Sequence, residues 1–133
     1  MNDSPAKSHR PLSPHLQVYK PQITSVMSIL HRITGVFLSL GSLLLAVWLF
    51  GAAYDERLYM DLSDFFRSLV GTAALIAWSG AFYYHLCNGI RHMFWDVGRG
   101  FALENVTRSG IAVLIVSAGL TAATWVAVWE GMV

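Results

Sequence analysis

The chain contains a single cysteine, Cys87, among 133 residues. One thiol excludes an intrachain disulfide framework. It also excludes zinc and iron–sulfur sites whose protein ligands are all cysteine, because those sites need several thiolates. A redox centre bound by this chain must therefore depend on histidine, of which the sequence has five.

Charged residues are also scarce, at 13% of the chain, and the formal net charge is only +1. A nucleic-acid-binding surface needs a basic stripe, whereas the few lysines and arginines here are scattered at the ends of apolar segments. Nucleic acid is therefore excluded as a partner. Hydrophobic residues reach 55%, which exceeds the usual share in soluble domains and indicates contact with membrane lipid.

Three long stretches contain no Asp, Glu, Lys or Arg. They are residues 33–54, 68–90 and 109–129. Each is close to the ~20 residues that an α-helix needs to cross ~30 Å of hydrocarbon. The sequence therefore predicts an all-α, integral membrane bundle of three transmembrane helices that forms a single membrane-anchor domain. We expect the helices at about 27–54, 66–93 and 107–130, with an acidic, amphipathic outer loop at 55–67.

All four prolines lie in the N-terminal segment, residues 1–26, so this segment is expected to be extended or broken. It lacks the basic and apolar regions of a secretory signal peptide. Four cationic residues lie at the N-terminal flank of helix 1 and three at the second loop, whereas the first loop has two and the C-terminus none. They are, in that order, Lys7, Arg10, Lys20 and Arg32; Arg91, Arg99 and Arg108; and Arg57 and Arg67. The positive-inside rule therefore places the N-terminus in the cytoplasm and the C-terminus in the periplasm, across a bacterial inner membrane.

This orientation brings two distant parts of the sequence to one membrane face. Helix 1 begins there with Ser28, His31 and Arg32, and helix 2 ends there with His85 and His92. The outer loop has no comparable concentration of histidine and arginine. The functional residues are therefore expected on the cytoplasmic side.

His85 is the most deeply placed of these polar residues. It precedes Arg91 by a distance of roughly 9 Å along a helix, which puts it at or inside the hydrocarbon boundary. A polar residue at that depth predicts a function, and an imidazole kept neutral by apolar surroundings suits an axial ligand of haem iron. His31, Arg32 and His92 could supply the partners that the haem propionates need at the membrane edge.

Two interpretations of His85 stay open at this point. Gly89, one turn further on, leaves room either for a flat macrocycle or for another helix, which His85 would then only hydrogen-bond. If His85 does bind haem, no other histidine lies within a predicted span, since His9 and His15 precede helix 1 and the other two are at interfacial ends. A bis-histidine haem would then need its second ligand from a partner membrane subunit.

Ser28, His31 and Arg32 follow the i, i+3, i+4 pattern, so a helix displays them on one face. Their hydroxyl, imidazole and guanidinium groups could donate hydrogen bonds to a quinone and supply a proton on its reduction. Alternatively, Arg32 extends to lipid headgroups and Ser28 caps the helix. Asp96 is either a solvated loop acid or the partner of an arginine.

The remaining polar residues of this region receive less specific interpretations. Arg91 and Arg99 are taken as determinants of membrane orientation rather than as site residues. Tyr83 and Tyr84 are ordinary for a membrane helix near its polar end, and no role is predicted for them.

Two motifs resemble the signatures of the succinate dehydrogenase cytochrome b subunit family. They are RPLSPHLQVYKPQITSVMSILHRIT at 10–34 and HLCNGIRHMFWDVG at 85–98. The resemblance implies that His85 is one axial ligand of haem b and that a small hydrophobic anchor subunit supplies the other. It also implies that His31, Arg32 and His92 surround the haem propionates.

The same resemblance implies a ubiquinone site lined by Ser28 and Arg32, with Asp96 tuning Arg32. The partner anchor subunit and the iron–sulfur subunit would complete the site, and a flavoprotein subunit would oxidise succinate. Fumarate reductase, running in the opposite direction, shares this chemistry. Two alternative functions stay open: a structural anchor with an incidental haem, and a small transporter or channel subunit. The transporter or channel is disfavoured because the polar residues gather at one face rather than along a path across the bilayer.

Overall fold

The structure is a computed structural model that describes residues 20–131. The helices of the described chain are α1 (Ile23–Tyr54), α2 (Glu56–Arg67), α3 (Leu69–Asp96) and α4 (Leu103–Glu130). The all-α prediction is confirmed for these residues. Most of the N-terminal segment, including His9 and His15, lies outside the described residues.

Helix α1 begins earlier than the apolar pattern predicts, at Ile23 rather than at about residue 27. Pro21 is the last proline of the chain, so the backbone is free to become helical directly after it. Helix α4 also begins earlier than predicted, at Leu103, and α3 is displaced toward the C-terminus. These differences arise because apolar stretches report the part of a helix inside lipid, whereas the helix itself continues into the polar flanks.

The stretch predicted to be an outer loop is a helix, α2, so that prediction is wrong. Asp55 begins it, since its carboxylate accepts a hydrogen bond from the Leu58 backbone N–H at 3.1 Å and satisfies a free donor of the first turn. Ser68 ends α2 and caps α3 by accepting a hydrogen bond from the Gly71 N–H at 3.1 Å. An amphipathic segment with a good cap is helical despite its low hydropathy.

Two helices are by themselves long and apolar enough to cross a membrane. These are α1 and α4, each with a mean hydropathy of 2.2 in its most apolar part. Helices α2 and α3 meet the same requirement only as a pair, bent by 81° at the break between them. The described chain thus holds two or three candidate spans. Three crossings, with a cytoplasmic N-terminus, stay a prediction.

Helix α3 contacts both α1 and α4. The buried apolar core is small and consists of Met27 from α1, Tyr84 from α3 and Val113 from α4. Gly110 allows α4 to approach α1, because a Cβ at that position would lie 2.9 Å from Met27 Sδ. Many other large apolar side chains of the described helices are exposed, which suits a surface that contacts lipid or other membrane subunits.

We expect Gly71→Ala to destabilise the corner between α2 and α3. A Cβ at this position would overlap the carbonyl oxygen of Phe65 and lie 2.7 Å from Phe66 Cα, and backbone atoms cannot move aside as a flexible side chain can. The loss should be about 1–3 kcal/mol, as for other overpacked sites. Thermal unfolding of the purified protein in detergent measures it.

Gly119→Ala is the matched control. Position 119 of α4 has open space around its Cβ direction within the described chain, and alanine favours a helix over glycine by about 1 kcal/mol. Equal losses of stability in the two variants would contradict this account of the corner.

Candidate functional site

His85 projects from α3 and its ring reaches the backbone of α1. Its Nδ1 atom lies 3.1 Å from the His31 carbonyl oxygen and 3.2 Å from Thr34 Oγ1. The Thr34 hydroxyl is within donating distance of the carbonyl oxygens of Leu30, at 2.9 Å, and His31, at 3.0 Å. With its proton directed at α1, the Thr34 oxygen can accept a hydrogen bond from His85.

The two acceptors at His85 Nδ1 determine which nitrogen of the ring carries the proton. A carbonyl oxygen only accepts, so the hydrogen bond to His31 assigns the proton of the neutral ring to Nδ1, and Thr34 Oγ1 can then accept from the same N–H. The other nitrogen, Nε2, then keeps its lone pair, and no hydrogen bond to it is formed within residues 20–131. This is the tautomer of a histidine that binds a metal through Nε2.

His31 stacks on His85, with ring centroids 3.8 Å apart and planes inclined by 11°. His92 is the third member, with its ring centroid 5.3 Å from that of His31 and the two planes inclined by 47°. Within the described chain, the Nδ1 atom of His31 is buried and has no hydrogen-bond partner. We call these three residues the histidine cluster. It contains a buried polar atom that forms no hydrogen bond within the described residues.

The stacking also decides whether His31 could be the second ligand of a haem held by His85. Two axial imidazoles lie on opposite faces of the macrocycle, so the macrocycle must fit between their rings. Parallel rings at 3.8 Å are in van der Waals contact and leave no such space. His31 therefore lies directly beside His85. Because the two rings are in contact, His31 is excluded as the ligand on the opposite face of a haem held by His85.

Two glycines shape the contact between α1 and α3. A Cβ at Gly35 would lie 3.2 Å from His85 Cε1, so the absence of a side chain lets the His85 ring rest on α1. A Cβ at Gly89 would lie 3.9 Å from His31 Cε1. Gly89 therefore lies at ordinary van der Waals distance from His31 on the neighbouring helix.

Ser28 and Arg32 share α1 with His31, and Asp96 shares α3 with His85 and His92. Ser28 is half-buried on α1, Arg32 is exposed one turn later, and Asp96 is exposed at the end of α3. In the part of the chain that the structure describes, neither a hydrogen bond nor an ion pair links Arg32 to Asp96. The tuning of Arg32 by Asp96 stays a prediction.

Arg91 has a role that sequence reasoning missed. It is only 5% exposed. Its guanidinium donates hydrogen bonds to Ser109 Oγ and to the Val106 carbonyl oxygen, each at 2.9 Å, and lies 4.0 Å from the centre of the Trp95 ring. Arg91 therefore joins α3 to α4 and does not extend to headgroups. The signal was the helical spacing of Asn88, Arg91 and Trp95, which places them on one face.

Tyr84 is a second residue whose role was missed. It is buried, and its hydroxyl donates a hydrogen bond to the Met27 carbonyl oxygen at 2.9 Å. Tyr84 thus joins α3 to α1. The Met27 carbonyl lies one turn of α1 before the His31 carbonyl, which His85 Nδ1 contacts. Adjacent residues of α3 fix the same pair of helices.

A cavity of about 820 Å³ lies away from the histidine cluster, toward α2. Its walls are mainly apolar and aromatic. Trp48 and Trp125 line it and donate hydrogen bonds to Ser63 and Ser79, at 3.0 and 2.9 Å. These tryptophans therefore connect helices as well as facing the cavity.

We expect Arg91→Ala to destabilise the protein by about 2–4 kcal/mol, because a charged donor loses two hydrogen bonds and a ring contact in a buried site. Arg108→Ala is the matched control. Arg108 forms an exposed pair with Glu104 at 2.7 Å, and such pairs contribute at most about 1 kcal/mol. Thermal unfolding of both variants in detergent compares them, and a larger loss for Arg108→Ala would refute the buried cross-link.

Comparison with known proteins adds an independent result. Residues 6–124 match the family described as succinate dehydrogenase/fumarate reductase transmembrane subunit. The succinate dehydrogenase cytochrome b556 subunit of Rickettsia typhi is 48% identical over 117 residues, which cover 88% of this chain and 91% of that protein. The subunit of the same name from Paracoccus denitrificans is 36% identical over 118 residues, or 89% and 91% of the two chains.

A more distant organism supplies a third similar protein. The mitochondrial succinate dehydrogenase cytochrome b560 subunit of Sus scrofa is 37% identical over 112 residues, which cover 83% of this chain and 66% of that protein. The family match includes the segments that carry all of the candidate site residues from Ser28 to Asp96.

Proposed function

The chain belongs to the succinate dehydrogenase/fumarate reductase transmembrane subunit family, and from this premise we propose its specific role. It anchors a succinate:ubiquinone oxidoreductase in the bacterial inner membrane, binds haem b jointly with a small hydrophobic anchor subunit, and forms part of the ubiquinone-reduction site. A flavoprotein subunit oxidises succinate, and an iron–sulfur subunit delivers the electrons. The chain binds no succinate and has no activity alone.

The observation that carries this proposal is the hydrogen-bonding state of His85. Because the acceptors at Nδ1 keep the proton on that atom, Nε2 offers its lone pair as an axial ligand to haem iron. The described residues therefore fit a haem. When bound, haem b supplies a one-electron redox centre.

The propionates are assigned to His31, Arg32 and His92. The buried Nδ1 of His31 needs a partner from outside the described residues, because an unsatisfied buried polar atom costs about 1–3 kcal/mol. When that atom carries the proton, a propionate oxygen can accept from it. Arg32 is exposed and has no ion pair within residues 20–131, so its charge is available to the same group.

The ubiquinone site is assigned to Ser28 and Arg32, one turn apart on α1. A hydroxyl and a guanidinium can both donate hydrogen bonds to a quinone carbonyl oxygen, and the Arg32 charge stabilises the negative charge that develops there on reduction. Asp96, exposed at the end of α3, tunes Arg32 when the soluble subunits cover this face. In this arrangement the chain crosses the membrane three times, with its N-terminus on the side of those subunits.

His85→Ala in the purified complex should abolish the low-spin b-type signal in reduced-minus-oxidised optical spectra, because an axial ligand is removed. Cys87→Ala, on the same helix, is the control and should keep the signal. A wild-type spectrum for His85→Ala would refute His85 as the ligand. Loss of haem with unchanged quinone reduction would instead favour a structural anchor in which the haem is incidental.

Arg32→Gln should lower succinate:quinone reductase activity about ten- to a hundredfold, which corresponds to the ~1.5–3 kcal/mol of a charged hydrogen bond. Succinate oxidation with a soluble electron acceptor should not change, because the flavoprotein is untouched. Arg99→Gln, at an exposed position between α3 and α4, is the matched control. If both activities of Arg32→Gln fall equally, the variant has damaged assembly and the quinone assignment fails.

A further inference from the structure

Thr34 contacts the Nδ1 atom of His85 and so affects the orientation of the His85 ring plane. Rotation of an imidazole about the bond to its Cβ is broad, so the rotamer alone does not fix the ring plane. Two neighbours limit that rotation: the face of His31, stacked at 3.8 Å, and the pair of acceptors at Nδ1. Of the two acceptors, only Thr34 contributes a side chain.

The His31 carbonyl oxygen is shared among several donors. As part of α1 it accepts the backbone hydrogen bond of the following turn, and it also lies 3.0 Å from the Thr34 hydroxyl and 3.1 Å from His85 Nδ1. A carbonyl oxygen has two lone pairs, so the backbone N–H and His85 Nδ1 fill its capacity when the Thr34 hydroxyl donates instead to the Leu30 carbonyl oxygen, at 2.9 Å. Thr34 Oγ1, at 3.2 Å, therefore takes a share of the Nδ1–H.

Two further contacts, at Gly35 and at Tyr84, hold α1 and α3 close enough for these hydrogen bonds to His85 Nδ1. Gly35 leaves the space into which the edge of the ring fits, with His85 Cε1 only 3.2 Å from the position of a Cβ. The hydrogen bond from Tyr84 to the Met27 carbonyl oxygen fixes α3 against α1 beside it. With the helices held, the position of the Thr34 oxygen determines the rotation of the ring.

We propose that Thr34 is a positioning residue for His85: it holds Nδ1–H between two acceptors and so sets the plane of the imidazole presented through Nε2. The proposal rests on the proposed function, in which His85 ligates haem. Thr34 itself touches neither iron nor quinone in this account. It acts only through His85.

The test is the electron paramagnetic resonance spectrum of the oxidised haem in the whole purified complex. The largest principal g value of a low-spin haem depends on the angle between its two axial imidazole planes, and a change in overall stability does not move it. Thr34→Val removes the hydroxyl and keeps the shape, so its g value should shift. Thr34→Ser restores the oxygen and should return the wild-type value.

Ser39→Ala is the matched control. The Ser39 hydroxyl also donates to a carbonyl of α1, that of Gly35 at 2.9 Å, but it is exposed and has no contact with His85. Its loss should leave the g value unchanged. A wild-type g value in Thr34→Val, or an equal shift in Ser39→Ala, would overturn the proposal.

Thr34→Cys and His85→Ala distinguish a failure of the Thr34 role from a failure to assemble and from a failure of the proposed function. If Thr34→Val fails to assemble, Thr34→Cys replaces the oxygen with a weaker acceptor and should give a smaller shift; an assembled Thr34→Cys complex with the wild-type value counts against the proposal. If His85→Ala loses the haem signal while the Thr34 variants leave the g value unchanged, only the positioning role fails. If His85→Ala keeps the signal, the proposed function fails as well.

Discussion

A half-buried histidine has two ring nitrogens, and each needs a hydrogen-bond partner or a ligand. In this protein α1 satisfies one nitrogen of His85, through the His31 carbonyl and the Thr34 hydroxyl. The other nitrogen is left with a lone pair. That asymmetry requires α1 and α3 to lie close together, and Gly35 permits the approach. The proposed binding of haem follows from it, because an unprotonated Nε2 is what an iron atom needs.

The way the helices are joined is consistent with a lipid surround. In a bilayer the hydrophobic effect does not drive helices together, so close backbone contacts and polar bonds between helices contribute more of the packing. Here Tyr84 joins α3 to α1, and Arg91 joins α3 to α4, both as buried polar residues. Gly110 supplies the close contact between α4 and Met27. These links hold α3 against α1 and α4.

Sequence reasoning predicted the helical class, and it expected His31 and His85 toward the same ends of their helices, because both expectations depend on features that extend over many residues: apolar length and the distribution of positive charge. It did not predict that the two rings stack. It failed where a single side chain determines the local structure. Asp55 converts an expected loop into α2 by capping it, and Arg91 turns inward instead of toward headgroups. Average hydropathy carries no information about caps or about the direction of a single arginine. The tautomer of His85 could not be predicted either, since it depends on acceptors more than 50 residues away in the chain.

In the proposed role, this chain holds one side of a haem through His85 and needs another chain for the opposite ligand. The most direct test is an optical spectrum of membranes that contain this chain, with and without the partner anchor subunit. A low-spin b-type spectrum is expected only when both chains are present, because the stacked His31 cannot reach the opposite face. A six-coordinate haem bound by this chain alone, with two of its own histidines as ligands, would contradict it.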